Sequence, residues 1–412
     1  FTCIVLWATG AVASLWVSLL FFFLAATCTA VPTAEIFSGF GSSAFWLVFS
    51  GAAIGFALKE SGLSERIGIA LARRIGGSYL KALLAFAILS FLLSLVMPST
   101  FGRIAILVPI AIGYCDVVKL GAHANGRRGI LLLVIVGSYE LAAAVLPANL
   151  PNVIMAGILE QSHGMHLRFS EYLLLFFPAG VIVRGAVLVL ASWWLFADTV
   201  GEVEIPAARV ALGRREWHAI VLLAITLAFW FTDAVHRIAP GWVGLGFALV
   251  YFGTSPPAQL ERFTATLKMD LLWFIAAIIG LTALVNHLDV RVPDTLVLDA
   301  LRDSPMLVYF ALTALSIVVC FAVTSNAEPA LYVPIVSRLL AQGLHLKAGL
   351  LAQVMGYATT VLPYQSPPIV FGNALAQLDR GAVLRYCIAT ALLGVVFVIP
   401  VNALWWRLIG LL

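Results

Sequence analysis

Two stretches of this chain decide its fold, because VMPSTFGRIAILVPI (Val96–Ile110) and VTSNAEPALYVPI (Val323–Ile335) carry the same pattern. Each has a short polar run near its start and a proline near its end. A Pro-broken apolar segment follows each copy: LPANLPNVI (Leu146–Ile154) after the first, and LPYQSPPIV (Leu362–Val370) after the second. The repetition indicates that the chain contains two copies of one structural unit.

A segment with a tryptophan and a glycine also precedes each copy. These segments are FWLVFSGAAIG (Phe45–Gly55) and LWFIAAIIG (Leu272–Gly280). A duplicated apolar unit whose helices are interrupted by polar, glycine and proline residues is typical of secondary transporters. The order of the segments therefore predicts a transport unit that occurs twice.

The composition places most of the chain in lipid. It is 62% hydrophobic and 11% charged, with a mean hydropathy of +1.04, whereas soluble domains carry about 25% charged residues. A transmembrane helix needs about 20 apolar residues. We expect spans at 1–31, 42–59, 129–159, 171–198, 217–235, 239–254, 271–286, 350–375 and 384–411. The first is too long, and lacks the basic flank, for a cleavable signal peptide.

Two further apolar regions, 82–113 and 306–342, are split by the duplicated polar motifs. We interpret them as re-entrant hairpins, which enter the membrane and return on the same side. The predicted fold is an all-α polytopic membrane protein of inverted repeats, each with a re-entrant hairpin and a broken transmembrane helix. The expected domains are an N-terminal span (1–43), a first repeat (44–198, broken span 129–159), linking scaffold spans (199–270) and a second repeat (271–412, broken span 350–375).

The distribution of charge predicts the orientation. With the N-terminus inside, the cytoplasmic segments carry about twice as many Lys and Arg residues as the outer segments, which favours an N-in, C-out topology. Under this topology the first repeat begins out-to-in at Phe45 and the second begins in-to-out at Leu272, so the repeats are inverted. An arm on the membrane surface, either a lipid-bound loop helix or a hinge, is predicted before each hairpin, at Gly62–Gly77 and at Asp289–Asp303.

The composition excludes other classes of protein. The net charge of +4 is spread over loops without an aromatic-interleaved basic patch, so no nucleic-acid partner is expected. The five cysteines lie in or beside apolar segments at no metal spacing and are interpreted as small apolar fillers. No His-Glu-x-x-His motif or histidine inside a span supports a membrane enzyme, and no cofactor is expected beyond a coupling ion, Na⁺ or H⁺.

Polar residues at the hairpin tips and in the broken spans are the candidate binding groups. Helix N-termini at such tips attract anions, and unwound carbonyls with hydroxyl and amide side chains can coordinate a hard cation. The tips supply Ser99, Thr100, Thr324, Ser325 and Asn326, and the broken spans supply Asn149, Asn152, Gln365 and Ser366. Because the four clusters occupy duplicated positions, we expect them to form one site.

Four ionisable residues lie inside apolar segments, and such residues default to a functional hypothesis. They are Arg103, Glu140, Arg184 and Glu328. Arg103 and Glu328 occupy nearly equivalent places in the two hairpins, so they either form an ion pair or act separately. In the second case Arg103 binds a substrate carboxylate and Glu328 carries a coupling proton. For Glu140 and Arg184 the sequence favours a neutralising pair.

At these residues the chain resembles the divalent anion:sodium symporter family, within the ion-transporter superfamily of citrate, arsenite and proton/sodium carriers. Phe56–Gly77 with Leu93–Ala111 is similar to that family's third span, arm and first hairpin, and Thr324–Ile335 with Leu362–Gly372 is similar to its second hairpin and broken span. The resemblance covers about residues 44–375. It implies a homodimer in which the hairpins and broken spans move as a rigid elevator against a scaffold.

The resemblance also implies ligands for Na⁺ and for the substrate carboxylate. The family's Ser-Asn-Thr triplets correspond to Ser99-Thr100-Phe101 and Ser325-Asn326-Ala327, and its Thr-Pro pairs correspond to Leu150-Pro151 and Ser366-Pro367. A Na⁺ ion at Asn326 fits this pattern. The first triplet has lost its Asn and Thr, and Arg103 stands where the family usually has a small or hydroxyl residue. A guanidinium replacing the first cation is therefore a hypothesis, which predicts weak Na⁺ dependence and loss of substrate binding in Arg103→Gln.

The expected function is a secondary active transporter of a small anion, a di- or tricarboxylate, coupled to Na⁺ or H⁺, in a bacterial inner membrane. The alternative is a cation/proton antiporter of the same superfamily with Glu328 as proton carrier. A passive channel and a membrane enzyme fit less well, because inverted repeats with opposed hairpins suit alternating access.

Overall fold

The chain is described by a computed structural model that covers residues 2–3, 6, 12–63, 66, 78–200, 212–267, 269–287, 304–340 and 346–412. Every regular element in these ranges is helical, which confirms the predicted all-α class. Of the two predicted surface arms, Asp289–Asp303 lies outside the described residues. So does the arm at Gly62–Gly77, apart from Gly62, Leu63 and Arg66.

Sixteen helices of eight or more residues make up the described part of the chain. An N-terminal helix comes first, followed by a set of six, three linking helices and a second set of six. They are α1 (Ser14–Cys28), α2 (Ser43–Ser61), α3 (Tyr79–Val96), α4 (Thr100–Val117), α5 (Asn125–Glu140), α6 (Leu150–His163), α7 (Phe169–Leu195), α8 (Arg214–Phe231), α9 (Pro240–Thr254), α10 (Pro257–Thr266), α11 (Met269–His287), α12 (Pro305–Ala322), α13 (Glu328–Leu339), α14 (Leu346–Tyr357), α15 (Pro367–Ala376) and α16 (Arg380–Leu408).

The helix order α2–α7 recurs in α11–α16, so the duplication read from the motifs is present in the fold. Each set contains one helix, a helical hairpin, a broken helix pair and a long final helix. The long helices α7 and α16 even share a π-helical segment, Phe177–Val183 in the first and Gly394–Val398 in the second.

Local sequence explains where each hairpin turns. In the first hairpin (α3 and α4), Pro98 disfavours helical geometry at the preceding residue, and Met97 is extended with φ −133° and ψ 94°. Ser99 then caps α4, its hydroxyl accepting from the Gly102 amide at 3.1 Å. In the second hairpin (α12 and α13), Pro329 occupies the first turn of α13, where its missing N–H costs nothing. The turns themselves, Met97–Ser99 and Val323–Ala327, are called the first and second tips below.

The predicted broken helices are also present. The first break (residues 141–149) separates α5 from α6, and the second break (358–366) separates α14 from α15. Prolines lie in or directly after both breaks. A proline has no backbone N–H to donate within a helix, so these prolines favour the interruption. Short 3₁₀ turns, such as Leu146–Ala148 and Pro363–Gln365, carry the chain across.

The packing shows that the two repeats run in opposite directions. The first hairpin packs on α5, the first half of one broken helix, and on α15, the second half of the other. The second hairpin packs on α14 and α6, which are the complementary halves. This exchange of halves requires the two broken helices to be antiparallel, as inverted repeats predict.

Glycines allow the closest of these contacts. A Cβ atom at Gly372 on α15 would lie 2.7 Å from Ile135 on α5, so α15 reaches its neighbours only without a side chain there. On α9, a Cβ atom at Gly241 would lie 2.2 Å from the backbone oxygen of Ser43. That contact holds the linking helices against α2.

Among the described residues, four helices are long and apolar enough to cross a membrane: α3, α7, α12 and α16. Shorter apolar helices cover Leu15–Cys28, Phe45–Leu58 and Leu272–Leu281. The first helix of each hairpin has 18 residues, or about 27 Å at 1.5 Å per residue. That length approaches the hydrocarbon thickness of about 30 Å, so it is compatible with crossing the membrane as well as with re-entry. Re-entry of the hairpins therefore stays a prediction.

Candidate functional site

Each hairpin tip contacts the break of its own repeat. At the first tip, the hydroxyl of Thr100 donates to the carbonyl of Ala148 at 3.3 Å. At the second tip, the amide of Ser325 donates to the carbonyl of Gln365 at 2.8 Å. The structure therefore places the predicted polar clusters of tip and break together in both repeats.

Two buried tyrosines connect the two breaks to each other. The Tyr139 hydroxyl, at the end of α5, donates to the Tyr357 carbonyl at 3.0 Å. The Tyr357 hydroxyl, at the end of α14, donates to Oδ1 of Asn152 at 2.7 Å. Sequence reasoning missed both tyrosines, although their duplicated position before a Pro-containing break is a signal that could have identified them.

The predicted binding residues Asn149 and Asn152 serve the first break itself. The side-chain amide of Asn152 donates to the carbonyls of Val145 at 2.9 Å and Ala143 at 3.1 Å, and that of Asn149 donates to the Tyr139 carbonyl at 3.4 Å. Unwound carbonyls in a buried segment need donors. These amide groups therefore stabilise the unwound backbone of the break in this conformation.

Arg103 is fully buried at the first tip and bonds only to oxygen atoms of the protein. Its Nη2 donates to the carbonyls of Ser138 and Ala148, both at 2.8 Å, and to the Thr100 hydroxyl at 2.9 Å. Its Nη1 donates to the Met97 carbonyl. Both Nη groups are occupied, so the guanidinium does not present the free fork needed for bidentate binding of a substrate carboxylate in this conformation.

Arg184, on the last helix of the first repeat (α7), contacts the second break. Its Nη1 donates to the Ala358 carbonyl at 3.0 Å and pairs with the Glu140 carboxylate at 2.9 Å, with both side chains fully buried. Its Nη2 lies 3.4 Å from the Thr359 hydroxyl. The structure thus contains the neutralising pair that the sequence favoured and adds a contact with the second break that it did not indicate.

The alternative ion pair between Arg103 and Glu328 is not formed. The Glu328 carboxyl, fully buried at the start of α13, is hydrogen-bonded through Oε1 to the Ser316 hydroxyl at 2.6 Å, and its Oε2 has no partner among the described residues. Arg103 instead donates hydrogen bonds to backbone carbonyls at the first tip and first break. The pseudosymmetric spacing in sequence placed the two residues on equivalent hairpins, and those hairpins pack against different halves of the broken helices.

Buried polar atoms without partners concentrate at the second tip and second break. Within the described residues, no partner is found for the hydroxyls of Ser325, Ser366 and Thr360 or for Nε2 of the Gln365 side chain. Ser325 lies near the Tyr139 hydroxyl, which donates to the Tyr357 carbonyl and can accept from Ser325. Because buried polar groups are normally hydrogen-bonded, this cluster is the best candidate for a ligand site.

The remaining predicted residues lie at the edges of this region. Ser99, Thr324, Asn326 and Pro367 are half-buried, with Ser99 capping α4 and Pro367 beginning α15. Across the tips, the rings of Phe101 and Phe371 meet edge to face with centroids 5.6 Å apart. No group of three or more His, Cys, Asp or Glu side chains suited to a metal occurs in the part of the chain that the structure describes.

Antiparallel repeats, paired hairpin tips and a polar site at two broken helices together define a secondary transporter of the inverted-repeat class. Comparison with known proteins gives the family: the sequence profile of the citrate transporter family matches residues 4–362, and the chain belongs to that family. It lies within the ion-transporter superfamily that the motifs resembled. The protein is accordingly an integral membrane protein, and the prediction that it is not an enzyme is confirmed by the family.

Individual relatives share about a quarter of the sequence. The citrate/succinate antiporter of Escherichia coli strain K12 is 26% identical over 230 residues, covering 52% of this chain and 46% of the relative. The L-tartrate/succinate antiporter of Escherichia coli strain UTI89 is 26% identical over 163 residues, covering 38% of this chain and 32% of the relative. The matches thus span about half or less of these curated relatives.

A solved structure supports the fold over nearly the whole chain. The crystal structure of the YdaH transporter from Alcanivorax borkumensis aligns with a TM-score of 0.58, covering 96% of this chain and 98% of that chain. The sequence identity of 15% limits this likeness to the architecture.

Proposed function

We propose that this chain is a secondary active transporter of a small carboxylate, a di- or tricarboxylate, which binds between the hairpin tips and the breaks. Membership of the citrate transporter family supports the carboxylate class. The relatives named as citrate/succinate and L-tartrate/succinate antiporters support exchange of one carboxylate for another as a transport mode.

The observation that carries the proposal is the uncompensated charge of Arg103. Within the described residues no carboxylate lies within ion-pair distance of it, although its side chain is fully buried. A buried charge without a counter-ion is costly in a low-dielectric interior. An anionic substrate near the first tip reduces that cost, whereas a cationic substrate increases it.

The ligand groups would come from the second tip and second break. The hydroxyls of Ser325, Ser366 and Thr360 and the Gln365 amide can donate to carboxylate oxygens. The same hydroxyl oxygens can coordinate a hard cation, so a Na⁺ ion with Asn326 among its ligands remains part of the proposal for the second repeat. Ser99 and Asn149 would complete the site on the side of the first repeat.

In the first repeat, we assign the role of the cation to Arg103 itself. Three backbone carbonyls and one hydroxyl converge on its Nη atoms, and oxygen atoms are the ligands that hard cations prefer. A tethered guanidinium in such an oxygen shell supplies positive charge without a bound ion. Transport would then require no Na⁺ at the first tip.

The proposed mechanism is alternating access of the elevator type. The hairpins and broken helices would move together against a scaffold that includes the linking helices α8 to α10, which pack on α2. The domain limits given above, a homodimer, an N-in and C-out orientation, and a place in a bacterial inner membrane belong to the same proposal.

One observation favours a second candidate, a cation/proton antiporter. Glu328 is a buried carboxyl with no basic partner among the residues described, as expected of a proton carrier. The positive charge of Arg103 opposes a cationic substrate, so we rank this function second.

Exchange in proteoliposomes tests the proposal. Vesicles loaded with unlabelled citrate, succinate or L-tartrate should take up the labelled compound, and any preference for Na⁺ over K⁺ would come from the second repeat alone. Arg103→Gln should lose this uptake, and Arg127→Gln, which removes a guanidinium paired with Asp116 outside the site, should keep it. Uptake of none of the three, together with pH-dependent cation flux, would replace the proposal with the antiporter.

A further inference from the structure

The environment of Glu328 contains too few hydrogens for an ionised carboxylate. The Ser316 hydroxyl lies 2.6 Å from Oε1 of Glu328 and 3.2 Å from the carbonyl oxygen of Gln353. A serine hydroxyl has one hydrogen to donate. If Glu328 is ionised, that one hydrogen is the carboxylate's single donor from this side chain, and it is then lost to the Gln353 carbonyl, which keeps only its helical bond within α14.

Protonation of Glu328 resolves the conflict. The acid then donates from Oε1 to the Ser316 hydroxyl, and Ser316 donates onward to the Gln353 carbonyl, so each contact has its own hydrogen. The second oxygen, Oε2, has no partner in the described part of the chain. In the acid it is a neutral carbonyl oxygen, which costs far less to leave unpaired than a charged one.

Among the described residues, no side chain around Glu328 carries a compensating positive charge. They are Cys320 on α12, Tyr332 on α13, Tyr357 on α14 and Tyr139 on α5. The helices α6 and α11 also pack on α13. On α6 the nearest basic group is His163, which contacts Ser337 toward the opposite end of α13, at 2.7 Å. On α11, Asp270 is an exposed acid in the first turn, so it adds no positive charge.

We infer that Glu328 is a proton-binding site that locks the second hairpin to the second broken helix. The chain of hydrogen bonds runs from Glu328 on α13 through Ser316 on α12 to Gln353 on α14. The proton comes from hydronium in the bulk water: an O–H bond forms at Oε1 and a water molecule is left behind. Its release leaves a carboxylate that has to compete with the Gln353 carbonyl for the Ser316 hydroxyl.

The packing makes this link sensitive to movement. A Cβ atom at Gly356 on α14 would lie 2.3 Å from the Ser316 hydroxyl, so α12 and α14 touch at this point. Glu328 also follows Ser325 by one turn of chain, and Ser325 belongs to the proposed ligand cluster. Resting on the proposed transport function, the site would couple proton binding to closure of the second tip on its substrate.

Infrared difference spectroscopy tests protonation without any substrate. At neutral pH, subtracting the spectrum of Glu328→Gln removes the bands of the acids that the two proteins share. The wild type minus Glu328→Gln spectrum should therefore show the carbonyl band of one carboxylic acid, shifted in D₂O. Ser316→Ala should keep the band but move its frequency. A difference spectrum without this band would overturn the inference, whatever the transport assays give.

A transport measurement tests the coupling. Glutamine can donate to Ser316 as the acid does, so Glu328→Gln should fold and should still exchange labelled for unlabelled succinate. Its net succinate uptake driven by an acid exterior should be at least tenfold lower than that of the wild type. Equal gradient-driven uptake in both proteins would refute the coupling role, and absence of all exchange in the wild type would refute the proposed function instead.

Discussion

Replacing Arg103 with alanine should convert this protein into one that Na⁺ stabilises. The substitution removes a guanidinium whose two Nη atoms bond to the carbonyls of Met97, Ser138 and Ala148 and to the Thr100 hydroxyl. What remains is a buried shell of oxygen acceptors without a donor. Such a shell is chemically suited to a small hard cation.

The cost of the substitution follows from the lost bonds. Each buried carbonyl left without a donor costs about 1–3 kcal/mol. The Ala148 carbonyl still accepts from the Thr100 hydroxyl at 3.3 Å. The carbonyls of Met97 and Ser138 are therefore the two that lose the side-chain donor. We expect destabilisation of about 2–6 kcal/mol without Na⁺, a large part of the 5–15 kcal/mol that stabilises a typical protein.

Sodium should restore part of this loss by mass action. A ligand at one hundred times its dissociation constant stabilises by about 2.7 kcal/mol. An unfolding entropy of about 2.1 cal/mol/K per residue over 412 residues gives about 1 °C per kcal/mol, so the unfolding temperature of the detergent-purified variant should rise by about 3 °C. The measurement compares saturating NaCl with KCl at equal ionic strength, at one heating rate.

Two proteins serve as controls for this comparison. The wild type should show no Na⁺-specific shift of this size, since its own guanidinium occupies the shell. Arg103→Lys keeps a buried positive charge and should likewise show no Na⁺-specific shift of this size. The reasoning is refuted if the alanine variant is folded yet equally stable in both salts, or if all three proteins respond alike.

Three further substitutions test the packing and the buried polar network. Gly241→Ala should destabilise the protein by about 1–3 kcal/mol by overpacking, because the new Cβ atom would lie 2.2 Å from the Ser43 backbone oxygen; chemical denaturation in detergent measures it. Glu140→Gln should cost about 3–5 kcal/mol by leaving its buried arginine partner uncompensated, measured the same way. Tyr357→Phe should cost about 1–3 kcal/mol and slow succinate exchange, because Asn152 loses its 2.7 Å hydrogen bond.

Each of these has a matched control in the same chain. Gly246→Ala, on the same helix as Gly241 but with open space around its Cβ position, should be neutral or stabilising by up to about 1 kcal/mol. Glu171→Gln breaks a part-exposed pair and should cost at most about 1 kcal/mol. Tyr364→Phe, at an exposed hydroxyl, should leave exchange unchanged. Equal effects within any pair would contradict the corresponding argument.

The architecture could be predicted because its signals are local. Pro98 and the serine after it stop one helix and cap the next, and the prolines at 147 and 363 lie within the two breaks. These effects act over a few residues, so the pattern shows them directly. The duplicated motifs then predicted two structural repeats. The antiparallel packing of the two broken helices agrees with the predicted inversion of the second repeat.

The composition of the site was predictable, but its pairings were not. Asn149 and Asn152 were recognised as polar residues in a broken span, yet their side-chain amides donate to carbonyls of that unwound segment and of the helix before it. Tyr139 and Tyr357 were missed because a single tyrosine in an apolar helix has the pattern of a packing residue, and only their duplicated position before the breaks distinguishes them. Which hydroxyl reaches which carbonyl depends on how the helices approach in three dimensions.

By itself, the sequence determined a helical membrane protein with two copies of a hairpin and a broken helix, because hydrophobicity, proline and capping residues act within single segments. Only the tertiary structure decided the partners of Arg103 and Glu328. Arg103 and Glu328 are equivalent in sequence, but the first hairpin brings Arg103 onto backbone carbonyls and the second brings Glu328 onto Ser316. The physical reason is that a charge in a dry interior is satisfied by whatever oxygen or hydrogen lies within about 3 Å, and packing alone fixes that neighbour.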